Sequence, residues 1–172
     1  TAEQVREQNN NRELVRQAIK ENPLLLEWAS PALQDDKEIV LEAVSIDGGA
    51  LEFSSKRLKD DKDVLITAVK QAGWTGCYAS DRLRDDKDVI LEADGQILYY
   101  ASRRLRDDKE VVLEAVKNKK IILKYASKRL RSDREIVIAA ITKNKKSAEF
   151  MVEELKQDEE IQNILNPPEE AK

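Results

Sequence analysis

Four pairs of adjacent aspartates, Asp35–Asp36, Asp60–Asp61, Asp85–Asp86 and Asp107–Asp108, are the residues of this 172-residue chain best suited by type to do chemistry. Two carboxylates side by side can hold a divalent cation or act as a general acid and base. Their surroundings argue against both. A calcium loop alternates its ligands around a central Gly, whereas "DDKD" and "DDKE" run at once into apolar sequence. The chain has no His, so a His-based triad or zinc site cannot be assembled. Cys77 stands without a His to activate it. "GWTG" at 73–76 lacks the Lys-Ser/Thr that completes a phosphate loop. The expectation is a protein that is not an enzyme and uses no metal or cofactor.

The acids also recur too often for a catalytic site, which is needed only once. "RLRDDK" appears word for word at 82–87 and 104–109, with "RLKDDK" at 57–62 and "RLRSDR" at 129–134. Aligned on this phrase, repeats start at Asn10, Asp35, Asp60, Asp85, Asp107, Ser132 and Gln157, in steps of 25 with a single step of 22. A fixed period of this length marks a stacked array. The organisation expected is an unstructured flank over 1–9, one helical-repeat domain over 10–165 and a tail over 166–172.

Each repeat reads as two helices. Helix A carries the "LEYAS-x-RL" phrase, seen as "LLEWAS", "LEFSS", "CYAS", "LYYAS" and "LKYAS". Its Leu51, Ser54, Ser55 and Leu58 fall at helical spacing, and Ala50 and Phe53 widen the buried arc. Helix B follows the acids and carries Ile39, Val40, Leu41, Ala43 and Val44. Both apolar arcs span about 200°, twice the ~100° stripe of a simple surface helix. Such helices touch neighbours on several sides, so the fold class expected is all-α, an α-solenoid of about six 25-residue hairpins plus a terminal half repeat. In that frame Asn10, Asp35, Asp60, Asp85, Asp107 and Ser132 are read as N-caps of the B helices. An acid three residues later completes a capping box with most of them.

The stretch "LRDDKEVVLEAVKNKKIILKYASKRLR", 105–131, resembles the domain-of-unknown-function four-one-one-six family of short helical repeats. The resemblance rests on an acidic pair, then Lys-Glu/Asp-Val-Val/Ile-Leu-Glu-Ala-Val, then Leu-x-Tyr-Ala-Ser, and extends over about 10–156. It implies the repeat fold and carries no assigned activity. The chain departs from the pattern after Leu91-Glu92-Ala93, where it is three residues short. Helix B of that repeat, or its turn, is expected to lose nearly one helical turn.

Composition limits the partners. The net charge of −4 gives no overall reason to expect nucleic acid or an anionic membrane. No apolar run approaches the ~20 residues that cross a bilayer, and the opening residues do not read as a secretory signal. One cysteine excludes an internal disulfide and favours a reducing intracellular compartment. Charge is instead sorted by helix. The outward A columns hold Lys56, Lys59, Asp81, Arg84, Arg103, Arg106, Lys128 and Arg131; the outward B columns hold Glu38, Glu42, Asp63, Asp88, Glu92, Glu110 and Glu114.

Two further columns, Leu24–Gly49–Trp74–Gln96–Ile121–Lys146 and Glu27–Glu52–Cys77–Tyr99–Lys124–Glu149, should face outward, and both turn apolar in the middle repeats. The candidate contact patch is therefore Trp74, Cys77, Arg84, Tyr99, Arg103, Arg106, Ile121 and Lys128, an aromatic anchor with a basic rim. The expected role is a scaffold or adaptor for an acidic or apolar protein partner, as a structural subunit of a larger assembly. The alternative is single-stranded RNA running along the same basic and aromatic face. The ladder Trp28, Phe53, Tyr78, Tyr100, Tyr125 and Phe150 is read as core. Arg57, Arg82, Arg104 and Arg129, four residues after Phe53, Tyr78, Tyr100 and Tyr125, are expected to lie across these rings and to bridge adjacent repeats.

Overall fold

The computed structural model describes residues 1–93, 97–118 and 122–167, and among them all regular structure is helical. Two compact units divide the chain, Thr1–Val89 and Ile90–Lys172. In the first, the long helices Arg12–Glu21, Lys37–Ile46 and Lys62–Gln71 pack one on the next. The 3₁₀ segments Pro23–Trp28, Gly48–Phe53 and Gly73–Tyr78 form a second row against them. In the second, Lys109–Asn118, Arg134–Lys143 and Glu159–Leu165 pack in series, and the 3₁₀ segments Leu123–Tyr125 and Lys145–Phe150 meet each other. Like element lies on like element, as a repeat stack requires.

The expected helix A is not one helix. Four copies break into a 3₁₀ segment and a four-residue α-helix, Pro31–Gln34, Lys56–Lys59, Asp81–Arg84 and Lys128–Arg131, and in the short repeat Arg103–Arg106 follows a turn over 97–100. The break falls on the serine of the repeat. Ser55 is extended at φ −60°, ψ 160°, and its Oγ accepts from the Leu58 N–H at 3.2 Å. Ser80, Ser102 and Ser127 do the same for Leu83, Leu105 and Leu130. A serine that bonds the backbone ahead of it competes with the helix behind it. Periodicity alone could not show this, because Leu51 and Leu58 are both fully buried on either side of the break.

The caps sit one residue later than the sequence suggests. Asp35 closes the short helix before it, with φ −105° and ψ 4°. Asp36 takes the extended N-cap geometry, and its Oδ1 accepts from the N–H groups of Glu38 at 3.0 Å and Ile39 at 3.2 Å. Asp61, Asp86 and Asp133 repeat this pattern. Asn11 rather than Asn10 caps Arg12–Glu21, and Asp108 rather than Asp107 accepts from Val111. Ser132 donates to the Lys128 carbonyl, leaving the cap to Asp133. The third helical residue is then apolar, as Ile39, so no capping box forms in these helices.

The flank expected to lack structure is also helical: Ala2–Glu7 carries a capping box at Thr1, buries Val5 and stacks Arg6 3.4 Å over Trp28. The aromatic ladder is half-buried rather than core. The core is aliphatic, with Leu26, Leu51, Leu58, Leu65, Leu83, Leu105, Leu123 and Leu130 among its fully enclosed members. In the short repeat the long helix is Lys87–Glu92, six residues against ten in Arg12–Glu21, Lys37–Ile46, Lys62–Gln71, Lys109–Asn118 and Arg134–Lys143; residues 94–96 lie outside the described residues.

Gly48 opens its 3₁₀ segment where a Cβ would meet the Ala68 carbonyl oxygen at 2.3 Å, a backbone atom that cannot move aside. Gly48→Ala should therefore cost about 1–3 kcal/mol, read as a lower urea midpoint. Asp61→Ala should cost about 1 kcal/mol through its cap, measured by the same unfolding curve.

Candidate functional site

Freed from capping, the first acid of each pair joins two repeats. The Asp35 carboxylate accepts from Ser55 Oγ and from Arg57 Nε at 3.0 Å, while Arg57 Nη2 donates to the Asp35 carbonyl at 2.6 Å. Asp60 receives Ser80 and Arg82 in the same way, and Asp107 receives Ser127 and Arg129. Asn10 opens the series by accepting from Ser30 at 3.1 Å. The backbone joins in: the N–H of Ser55 donates to Gln34 and that of Ser127 to Arg106, both at 2.9 Å. Arg57, Arg82 and Arg129 thus bridge repeats, through the acid rather than across a ring.

The second acid is engaged from the other side. Lys37 Nζ reaches Asp61 at 2.9 Å and Asp63 at 2.7 Å; Lys109 reaches Asp133 at 2.9 Å and Glu135 at 2.8 Å. Arg12 pairs with Asp36 and Glu38, and Arg134 with Asp158 and Glu160. Glu38, Glu42 and Asp63 of the acidic B column are thus engaged by the preceding repeat. Every letter of "RLRDDK" has a place: a base to the repeat before, a core leucine, a base near its own 3₁₀ segment, an acid for the repeat after, a cap, and a base to the next cap.

Ionisation follows these contacts. Hydrogen bonds from Ser55, Ser80 and Ser127, joined by the paired arginines, hold Asp35, Asp60 and Asp107 below the usual carboxylate range despite some burial. At Asp36, Asp61 and Asp133 desolvation pushes upward, but the bonds from Arg12, Lys37 and Lys109 with the cap amides outweigh it. These carboxylates are ionised and occupied, which suits structure better than proton transfer. Among the described residues no group of three or more acids and thiols is placed to hold a metal ion.

The proposed contact residues fall into separate units. In the first, Trp74 is 52% exposed, meets Tyr78 edge-on at 6.0 Å, and lays its ring over Gly49 of the preceding repeat. Cys77 is exposed. Arg84 is turned back, Nη2 donating to the Cys77 carbonyl at 2.7 Å. Lys59 does likewise to Glu52 at 2.6 Å, and its burial lowers its pKa. Burial and a hydrogen bond to Glu52 push the Tyr78 phenol up to about 12.

In the second unit Tyr99 is 55% exposed and edge-on to Tyr100 at 4.7 Å and Tyr125 at 5.0 Å. Arg103 and Lys128 are exposed, and Arg106 is half-buried. Arg103, Arg106, Asp107, Tyr125, Ala126 and Ser127 line a cleft of about 390 Å³. Ile121 lies outside the described residues. The column Glu27, Glu52, Cys77, Tyr99, Lys124, Glu149 is exposed throughout, whereas Gly49 in the other column is buried beneath Trp74.

Helical repeats held together by recurrent polar contacts define the class: an all-α repeat protein. The chain belongs to the family described as Domain of unknown function (DUF4116), whose model matches residues 11–59, 36–80 and 94–131, more than half the chain. The first two matches start 25 residues apart, the repeat period. Neither a curated protein nor a solved structure matches the chain. No helix among the described residues is long and apolar enough to cross a membrane.

The depressed aspartates set a pH dependence. A carboxyl whose folded pKa lies below its unfolded value of about 3.9 stabilises the fold above that value and loses the contribution as pH falls through the folded pKa. The urea midpoint should hold steady from about pH 7 to 5 and drop below about pH 4. The drop should be shallower in an Asp35→Asn/Asp107→Asn variant, which starts from a lower midpoint.

Proposed function

We propose that the chain is a non-catalytic scaffold or adaptor that binds another protein through the basic side of its short helices. The observation that carries this reading is the difference between engaged and available bases. Arg57, Arg82 and Arg129 are spent on Asp35, Asp60 and Asp107, and Lys59 and Arg84 of the outward columns are turned back onto their own 3₁₀ segments. Arg103 and Lys128 remain exposed near the half-exposed Tyr99 ring cluster. An aromatic anchor with adjoining Arg is the composition of an interface centre. The saturated state of the paired acids supports a structural role for them.

Affinity capture tests this with the wild type and a Tyr99→Ala/Arg103→Glu variant, each with and without ribonuclease. The wild type should retain a protein that survives ribonuclease, and the variant should recover about tenfold less of it. Equal recovery by both would remove the surface from the function. Loss of the captured material on ribonuclease treatment, with retention falling steeply between about 50 and 200 mM salt, would assign the face to RNA.

A further inference from the structure

The whole-chain charge hides a strong local imbalance. Residues 97–148 contain 15 Lys and Arg against 6 Asp and Glu, although the chain as a whole is net −4. Four of the six bases on the two successive short helices Arg103–Arg106 and Lys128–Arg131, namely Arg103, Arg106, Lys128 and Arg131, make no ion pair among the described residues, whereas Arg129 is bonded to Asp107. In the first unit the fourth residue of the short helix is turned inward, as Gln34 to Leu26 and Glu27, Lys59 to Glu52 and Arg84 to Cys77. In the second unit Arg106 and Arg131 have no such side-chain bond among the described residues; their Nε atoms are buried without an acceptor, as is that of Arg84, so the difference lies in the outer guanidinium nitrogens, which only Arg84 bonds to its own 3₁₀ segment. Arg103 and Lys128, at the first positions of the same helices, likewise make no side-chain bond or ion pair among the described residues.

We infer that this two-by-two grid, Arg103 and Arg106 on one helix and Lys128 and Arg131 on the next, is a docking site for an extended acidic peptide segment of the partner. The inference rests on the adaptor reading and adds the chemistry and register of what is bound. The two helices are directly joined, since the Ser127 N–H donates to the Arg106 carbonyl at 2.9 Å. Residues three apart on a helix stand about 5–6 Å from each other, and packed helices stand about 8–10 Å apart. An extended chain advances about 3.3 Å per residue, so carboxylates at every third position match the step between helices.

Arginine binds a carboxylate through two parallel N–H groups, and the cleft beside Arg103 and Arg106 has Tyr125 as a wall to receive the peptide. Discrete carboxylates fit this grid better than a continuous polyphosphate. Asp107 lines the same cleft, and Asp108 and Glu110 follow it in sequence.

The probe is a fluorescein-labelled 12-residue peptide of four Glu-Gly-Ser units. It is compared by anisotropy with a peptide of the same composition carrying its four Glu in a row, and with a labelled 12-nucleotide oligouridylate. The full chain should bind the spaced peptide about fivefold more tightly than the clustered one. Arg103→Glu/Lys128→Glu should weaken the spaced peptide about tenfold, and Lys56→Glu, at the equivalent position of the first unit, should not. Glu at the first helical position is well tolerated, and circular dichroism checks that the variant folds. Absence of peptide binding at about 50 mM salt, equal binding of both peptides, or an unchanged affinity in the double variant would overturn the inference. Tighter binding of oligouridylate than of either peptide would overturn it in favour of nucleic acid. Ribonuclease-resistant capture, lost in the Tyr99→Ala/Arg103→Glu variant, together with no peptide binding would reject the grid and keep the adaptor.

Discussion

The structure depends on a polar joint between successive repeats: an aspartate at the end of one short helix that accepts a serine hydroxyl and an arginine from the next. A four-residue helix, a six-residue 3₁₀ segment and a ten-residue helix are each too short to persist alone. Burial of leucine, valine and isoleucine drives them together, but apolar contact has no direction. The Asp35–Ser55–Arg57 joint, and its copies at Asp60 and Asp107, supply direction and register. Each such ion pair is solvent-screened and individually weak. The importance of the joint lies in being repeated and in linking backbone as well as side chain.

This arrangement turns a pattern that looks catalytic into one that is architectural. Adjacent acids are kept ionised and close together because each has a separate set of donors. The first looks forward to the next repeat. The second caps its own helix and receives a base from the repeat behind. Lys37 and Lys109 complete that second set, so the phrase links three repeats at once. The series also stops within the chain. Ser132 stands where the joint aspartate would be, Val152 where the serine would be and Glu154 where the arginine would be. Only the backbone bond from Val152 to Arg131 persists, at 3.4 Å.

Much of this was legible in the sequence. The period, the all-helical class, the family resemblance, the short helix after Asp86 and the bridging role of Arg57, Arg82 and Arg129 follow from residue types and spacing. What escaped was local. Two aspartates in a row leave open which of them caps, and the answer depends on a ψ angle at Asp35 that no spacing reveals. The break at Ser55 is invisible because buried leucines flank it on both sides. Residue columns show which bases share a side but not which of them are already bonded. Arg84 and Arg106 occupy equivalent positions and both bury Nε, yet Arg84 donates to the Cys77 carbonyl and Arg106 makes no such bond among the described residues. The concentration of bases over 97–148 was masked by averaging across the chain.

The joint also bears on how such a chain can change length. The copies joined at Asp35, Asp60 and Asp107 present the same acceptor at one end and the same donors at the other, so any of them can follow any other. Gaining or losing one whole period leaves two compatible edges to meet, whereas a partial insertion in a short helix would leave a hydroxyl and a guanidinium with nothing opposite. Tandem copying of the coding segment is thus a physically permitted route to longer or shorter proteins. Adaptation of individual copies, as at Arg103 and Lys128, can then proceed on side chains that the joint does not use.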